Sequence, residues 1–315
     1  MLLSVIVPCY NESDVIEKTW TRLTTVISEN GKKEKCDYEL IFIDDGSKDD
    51  TLAKVEKMAE QDRHVKYISF SRNFGKEAAM YAGLTYASGD GVVIMDADLQ
   101  HPPELIPQMI SRWQDGYDQV ICKRNRKGDK ASKAWSARLY YRLVNHLVDV
   151  EMEDGVGDFR LLSRKAVDAL LSMTEYNRFS KGLFSWIGFK QTFIHYENQA
   201  REGGSSKWSL KRLLQYGIDG IMSFNDKPLR ICFWMGGLLF VFGAIYLTVI
   251  FIQILLHGVD VPGYFTTIFA ILMIGGVQLL SIGVLGEYIG RIYYEVKKRP
   301  PFLVDKTNIE KEKKP

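Results

Sequence analysis

Short apolar runs alternate with helical patterns along the first part of the chain. Residues 4–7, 38–43, 65–70, 91–95 and 119–122 are rich in β-branched, aromatic and other apolar residues and predict five strands. Stretches near 14–28, 50–61, 76–87 and 103–115 carry helical patterns and predict the intervening helices. This β-α-β-α rhythm predicts an α/β fold, a mostly parallel sheet with helices on both faces. Ligands of such sheets bind beyond the carboxyl ends of the strands, so the residues that follow each strand carry the information.

The pattern changes after Arg230. Residues 231–256 and 264–286 hold no formal charge, and each run is long enough to cross a hydrocarbon core of about 30 Å at ~1.5 Å per residue. A connector with Gly258, Pro262 and Gly263 separates them, so they read as a transmembrane helical hairpin. The alternative, two buried helices of a soluble core, requires a polar face that these runs lack. Lys227 and Arg230 precede the first span, Arg291, Lys297, Lys298 and Arg299 follow the second, and the connector has no Lys or Arg. Both ends are therefore expected on the cytoplasmic side of a multi-pass plasma-membrane protein. Gly283, Gly286 and Gly290 permit close helix approach, although chance spacing explains them equally well. Leu210, Leu213, Leu214, Ile218, Ile221 and Met222 recur at helical spacing. They predict an amphipathic helix on the bilayer surface or, alternatively, an ordinary core-facing helix. The expected organisation is an α/β domain over 1–208, a juxtamembrane helix over 209–227 and a hairpin over 228–292 with spans near 231–256 and 264–288. A cytoplasmic basic tail follows over 293–315, with residues 305–315 expected to be disordered.

Composition adds limits. The chain has 315 residues and a net charge of +2, which gives no support for a nucleic-acid partner. Its mean hydropathy of -0.12 averages two unlike parts. Cys9, Cys36, Cys122 and Cys232 form no close pair and are expected to be reduced thiols. The five histidines show no metal-ligand spacing. The apolar start, 1–7, is too short for a secretory signal and lacks a basic lead, so the N-terminal domain is expected to stay in the cytosol.

Three strand ends carry candidate chemistry. Pro8-Cys9-Tyr10-Asn11-Glu12 follows the first strand, without the glycine pattern of a dinucleotide fold. Asp44-Asp45-Gly46-Ser47 follows the second, where a carboxylate can accept hydrogen bonds from a ribose or base, or simply form an Asx turn. Asp96-Ala97-Asp98-Leu99-Gln100 follows the fourth. Its two acids, one residue apart, repel unless a cation joins them. A hard ion with oxygen ligands, Mg²⁺ or Mn²⁺, suits them and would bridge to diphosphate oxygens.

These motifs, in this order, resemble those of family-2 GT-A glycosyltransferases. The closest likeness is to the dolichyl-phosphate mannose synthase branch and its bacterial relatives, the bactoprenol glucosyltransferases. Gly157-Asp158-Phe159-Arg160 is similar to that branch's acceptor-side motif, and Arg201-Glu202-Gly203-Gly204-Ser205-Ser206-Lys207-Trp208 to its Arg…Ser-x-Lys loop. The resemblance covers about residues 3–295 and includes the hairpin. It implies that Pro8, Tyr10, Glu12, Ile43 and Asp45 line a nucleotide pocket, with Ala97 and Lys76 beside them. Asp96, Asp98 and Gln100 would hold metal and diphosphate. Arg124 would sit near a donor or acceptor phosphate, Arg201 and Lys207 would clamp phosphates, and Asp158 would face the acceptor. Read alone, the Arg201–Lys207 stretch is equally a solvated basic loop, and Asp158 a turn or helix cap.

The implied reaction moves a hexose, glucose or N-acetylglucosamine, from a nucleotide sugar, UDP-linked by the same resemblance, to undecaprenyl phosphate. A phosphate monoester is mostly dianionic at neutral pH, since its second pKa is about 6, so it needs no strong base to become a nucleophile. Lys181, Arg201, Lys207, Lys211 and Arg212 would draw that phosphate toward the site. Direct attack predicts inversion at the anomeric carbon. A dimer or tetramer is compatible with the resemblance. Two rivals stand beside this reading. A processive polysaccharide synthase would carry Gln-x-x-Arg-Trp, but Gln108–Trp113 has one residue too many. A non-catalytic membrane partner would have no need of Asp96, Asp98, Asp158, Arg201 and Lys207 together.

Overall fold

A computed structural model describes residues 1–34, 36–125, 156–197, 227–258 and 263–310 of the chain. One eight-stranded sheet organises it, in the order β7-β5-β6-β4-β1-β2-β3-β8. β1 (Leu2–Cys9) is central and pairs in parallel with β2 (Asp37–Asp44) and β4 (Gly91–Ile94). β3 (Val65–Phe70) adds in parallel beyond β2. These are the first four expected strands, and they are near-continuous apolar runs because both faces are covered. Leu3, Val5 and Val7 point into one layer and Ile6 into the other.

Helices α1 (Ile16–Glu34), α2 (Thr51–Gln61) and α4 (Ile106–Gln114) cover the first layer with Leu23, Val55 and Met109 among others. A short 3₁₀ turn, Pro103–Leu105, leads into α4. Helix α3 (Lys76–Tyr86) covers the second layer through Ala78, Ala79 and Ala82. Small residues let α3 lie close to the sheet: a Cβ on Gly83 would stand 3.0 Å from Ile43 and Ile6.

The remaining strands include two with no expectation in the sequence. β5 (Gln119–Asn125) is the fifth expected strand, but β6 (Val156–Ser163) inserts antiparallel between it and β4. β7 (Gln191–Glu197) lies parallel to β5 at the outer edge. Gly157, Asp158 and Arg160 interrupt the apolar run of β6, and β7 is half exposed, so neither has the density of a buried parallel strand. Helices α5 (Arg164–Ser172) and α6 (Ser180–Trp186) follow β6 and pack with α3 on the second layer. The Ser163 side chain caps α5 by accepting from the Ala166 N–H.

Two long helices complete the chain, α7 (Lys227–His257) and α8 (Tyr264–Lys297). Both are long and apolar enough to cross a membrane, and none of their most apolar stretch is buried against protein. Phe233, Phe240, Leu255, Leu272 and Leu279 stand exposed. A soluble core helix would bury such residues, so the alternative of two helices in a soluble core does not hold. The amphipathic stretch expected over 209–227 lies almost wholly outside the described residues.

The tail overturns its expectation over residues 305–310, while 311–315 lie outside the described residues. β8 (Val304–Thr307) pairs antiparallel with β3 and closes the edge that β3 would otherwise expose. The Phe302 ring stacks on Phe70 at 5.0 Å, the Ser71 N–H donates to the Leu303 carbonyl, and the Asn308 side chain bonds the backbone of Tyr67 and Val65. Charged composition suggested disorder, but an edge strand is held by its backbone and can keep charged side chains in water. The catalytic fold therefore includes residues from beyond the hairpin.

Phe302→Ala is expected to destabilise the full chain in detergent by about 2 kcal/mol, below the ~3–5 kcal/mol of a fully buried phenylalanine. Lys306→Ala, which breaks only an exposed pair with Glu56, is expected to leave thermal unfolding unchanged. Equal losses in both variants would show that charge rather than ring packing holds the tail.

Candidate active site

The pairing of β1 with β4 ends ahead of Pro8. The Ile6 carbonyl accepts the Met95 N–H at 3.1 Å, so Ile6 faces β4. Pro8, two residues on, faces the same way and has no N–H to give. β1 and β4 part there, and the 96–100 loop leaves through the gap. On the other side of β1, the loops after β1 and β2 are tied together. The Asn11 N–H donates to Ser47 Oγ, the Lys48 N–H to Asn11 Oδ1 and the Glu12 N–H to Thr51 Oγ1. Asn11 takes a positive φ of 54°, a conformation that asparagine tolerates.

Asp44 and Asp45 divide their duties. Asp44 accepts the Ser47 N–H and the Ser69 hydroxyl, which is the turn-forming alternative read from the sequence. Asp45 accepts the N–H groups of Phe74, at 2.6 Å, and Gly75, at 2.9 Å. It thereby fixes the start of α3. Burial raises the pKa of Asp45, with these backbone donors opposing the shift. Gly46 permits the contact: its φ is +67°, and a Cβ there would lie 2.5 Å from the Arg72 backbone carbon.

The acids after β4 meet a third from β6. β4 and β6 pair Ile94 with Arg160, so Asp96 and Asp158 fall opposite each other two residues further along. Lys76, the first residue of α3, reaches between them: its Nζ lies 2.6 Å from Asp96 Oδ1 and 2.6 Å from Asp158 Oδ2. Burial would raise the Asp158 pKa, but the charges of Lys76, Lys181 and Arg160 outweigh it and hold the carboxyl well below its usual range. Burial would likewise lower the Lys76 pKa, and the two carboxylates raise it instead. The Lys76 side chain is 43% exposed, so solvent screens the pair and its net stabilisation is modest. Asp98 is buried and accepts the Gln100 N–H, while the Thr19 hydroxyl holds the Ala97 carbonyl at 2.7 Å. Leu99 between them has a φ of 57°, a costly conformation for leucine and one that turns the loop.

The contacts that hold these residues from behind were not legible in the sequence. Glu77 accepts the Ser180 N–H at 3.2 Å and the Ser180 hydroxyl, which ties the start of α6, and so Lys181, to the start of α3. The Arg160 guanidinium packs 3.8 Å over the Phe184 ring and donates to the Gly157 carbonyl. His101 stacks on Phe159 at 5.1 Å, and burial lowers its pKa. Burial also pushes the Cys9 and Cys122 thiols up, so neither is a ready nucleophile.

The structure brings Lys76 to Asp96 and Asp158, with the charge of Lys181 acting on Asp158; Ala97, Asp98 and Gln100 lie on the loop after β4, Pro8 in the last part of β1, and Tyr10 and Glu12 on the loop that follows it. Asp158 lies in β6, which excludes the helix-cap alternative. Ile43 differs: its side chain is fully buried against α3 and supports the rim from below. Arg124 lies in β5, where its charge acts on Tyr196. Arg201 and Lys207 lie outside the described residues. Gln108–Trp113 belongs to α4, with the Trp113 ring over Gly91, which is a packing role. Among the described residues no group of three or more His, Cys, Asp or Glu side chains gathers as a metal cage. The donor chemistry of Asp96, Asp98 and Gln100, two carboxylates and a side-chain amide on one loop, suits a hard divalent ion.

Glu77 gives this site a pH signature. Burial raises its carboxyl from the ordinary 4.5 to about 7, and the Asp158 charge adds to the rise. A carboxyl with a higher folded than unfolded pKa keeps its proton in the fold, so stability is greatest below about 4.5 and falls as pH rises to about 7. Glu77→Gln removes that titration. Melting temperatures of both proteins across this window are expected to diverge, the wild type losing ground as pH rises. Parallel curves would show that Glu77 titrates at its ordinary value.

The comparisons agree with this geometry. Residues 4–171 match Glycosyl transferase family 2, and residues 227–292 match the GtrB C-terminal hairpin. CsbB of Bacillus subtilis (strain 168), a glycosyltransferase by name, is 53% identical over 98% of this chain and 92% of its own. The bactoprenol glucosyl transferase of Shigella phage SfII is 40% identical over 98% of this chain and 99% of its own. A solved mannosyltransferase from Pyrobaculum calidifontis, in complex with GDP-Man and Mn2+, is 19% identical with a TM-score of 0.49, covering 68% of this chain and 62% of the other. That last likeness carries no functional weight. The paired acids at the strand ends, the two bare apolar helices and these matches converge: the chain is a membrane-associated glycosyltransferase and belongs to glycosyl transferase family 2, with a GtrB-type C-terminal hairpin.

Proposed function

We propose that the chain transfers a hexose, glucose or N-acetylglucosamine, from a UDP-linked donor to undecaprenyl phosphate at the cytoplasmic membrane face. The observation that carries this reading is the meeting of Asp96 and Asp158 at Lys76, with the charge of Lys181 on Asp158 and Asp98 two residues along the same loop, in a domain joined to two apolar helices. Relatives named bactoprenol glucosyl transferase, about 40% identical over nearly the whole chain, support the lipid acceptor. In this reading α7 and α8 span the bilayer as a hairpin, with both ends cytoplasmic by their flanking Lys and Arg.

Each residue has a role in the reaction. An oxygen of the acceptor phosphate attacks the anomeric carbon, and the bond from that carbon to the donor diphosphate breaks, with inversion. An α-linked nucleotide sugar thus gives a β-linked lipid phosphate. Asp158, held ionised by Lys76 and Lys181, is a weak base and serves to orient groups around the acceptor. Lys181 offers positive charge to the incoming phosphate. Arg201 and Lys207 would take the same part, as the family motif implies. Tyr10, Glu12 and Asp45 border the nucleotide. Asp96, Asp98 and Gln100 would hold Mg²⁺ or Mn²⁺, which when bound neutralises charge growing on the departing diphosphate.

Asp98→Asn is expected to lower transfer by about 10²–10³-fold, the scale of losing one preorganised electrostatic contact. The measurement is mass spectrometry of the lipid product, with a panel of nucleotide sugars, undecaprenyl phosphate and Mg²⁺ or Mn²⁺. Turnover near the wild-type rate would reject the assignment of Asp98, and no lipid-linked sugar from any donor would reject the reaction.

A further inference from the structure

Lys76 occupies a position that a general phosphate contact does not explain. Its ammonium stands between two carboxylates that the β4–β6 register forces together, 2.6 Å from each. Asp158 is 14% exposed and Asp96 29%, so two largely covered carboxylates would repel each other without a cation between them. Some cation has to stand there, and in this structure it is Lys76. Yet Asp96 is also one of the two acids suited to a divalent ion. One carboxylate is thus claimed by two cations.

The two claims differ in what can move. The backbone at the start of α3 is fixed, since Asp45 binds the N–H groups of Phe74 and Gly75, and Glu77 binds Ser180. The Lys76 stem is flexible and 43% exposed, so the ammonium alone can leave Asp96. A divalent ion at Asp96 and Asp98 would repel the ammonium and at the same time remove the need for it there.

We propose that Lys76 is an exchangeable counter-cation, which neutralises Asp96 until a divalent cation takes that carboxylate and then remains with Asp158 alone. This rests on the reading that Asp96 and Asp98 bind the cation. Its consequence is a threshold: cation binding has to displace an ion pair, so Mn²⁺ alone binds weakly, and the phosphate oxygens of a donor add the ligands that tip the exchange. The acids stay charged and correctly spaced before the donor arrives, without a tightly held metal.

The test titrates Mn²⁺ alone into the full-length protein in detergent, following free Mn²⁺ by electron paramagnetic resonance. Lys76→Met, which removes the charge and keeps the length, is expected to bind Mn²⁺ at least tenfold more tightly than wild type. Lys76→Arg, which keeps the charge, is expected to show no such gain. Lys76→Gln carries the same expectation as the Met variant and replaces it should that protein not fold. Unchanged or weaker Mn²⁺ binding in the neutral variants overturns the proposal. Asp98→Asn separates the two readings. If it loses Mn²⁺ while Lys76→Met binds like wild type, only the exchange fails; if it binds Mn²⁺ like wild type, the cation assignment itself fails.

Discussion

The site depends on one electrostatic constraint, the opposition of Asp96 and Asp158 across the end of an antiparallel pair. Had β6 joined the sheet in parallel, or one residue out of register, Asp158 would face elsewhere. The pairing of Ile94 with Arg160 fixes it. Once the two acids are opposed, a cation is required, and α3 has to begin where Lys76 can supply one. That start is set by Asp45, whose carboxylate holds Phe74 and Gly75, and by Gly46, which lets the two loops touch. The separate strand-end motifs are therefore a single interlocked unit.

The amino-terminal end of β2, away from the site, shows what a purely structural acid looks like. Glu39 is buried, and its carboxylate accepts from the Ser4 hydroxyl, the Ser88 N–H and hydroxyl, and the Lys66 ammonium. Three of those donors come from small side chains or backbone, and they use up its capacity. A buried polar group satisfied in this way has nothing left for a ligand. Asp96 is held by a lysine on a flexible stem. That contrast, more than acidity itself, separates a site able to exchange partners from a fixed joint in the fold.

The sequence made the parallel half of the fold legible because those strands are buried on both faces and follow a plain apolar rhythm. The three chemical motifs were legible because each lies at the end of such a strand. β6 was not, since its Asp158 and Arg160 look like loop residues until Phe184 and Lys76 are placed beside them. Glu77 was hidden for a related reason: beside Lys76 on a helix it resembles an ordinary surface pair, and only the return of Ser180 buries it. Composition misled at the tail, because charged side chains were taken to mean an unstructured chain.

That tail changes how the membrane part relates to the catalytic part. Chain leaves the sheet domain before α7 and comes back after α8 to complete the same sheet through β8. At the end of α8, Glu295 accepts the N–H groups of Tyr176 and Asn177, and Tyr294 stacks on Tyr176 at 5.5 Å. The next helix begins at Ser180, which Glu77 holds, and Glu77 follows Lys76. Contacts thus run without a break from the end of the second apolar helix to the paired acids. The Glu295 contacts are exposed and modest and the Glu77–Ser180 contact is partly buried, and they act on one short loop from both sides. A cut before the hairpin would remove β8, the Phe302 stack and the Glu295 contact along with the helices. Weak transfer by such a fragment would therefore reflect a loosened site as much as a lost bilayer. The hairpin is better understood as an insertion within the catalytic fold than as an anchor appended to it.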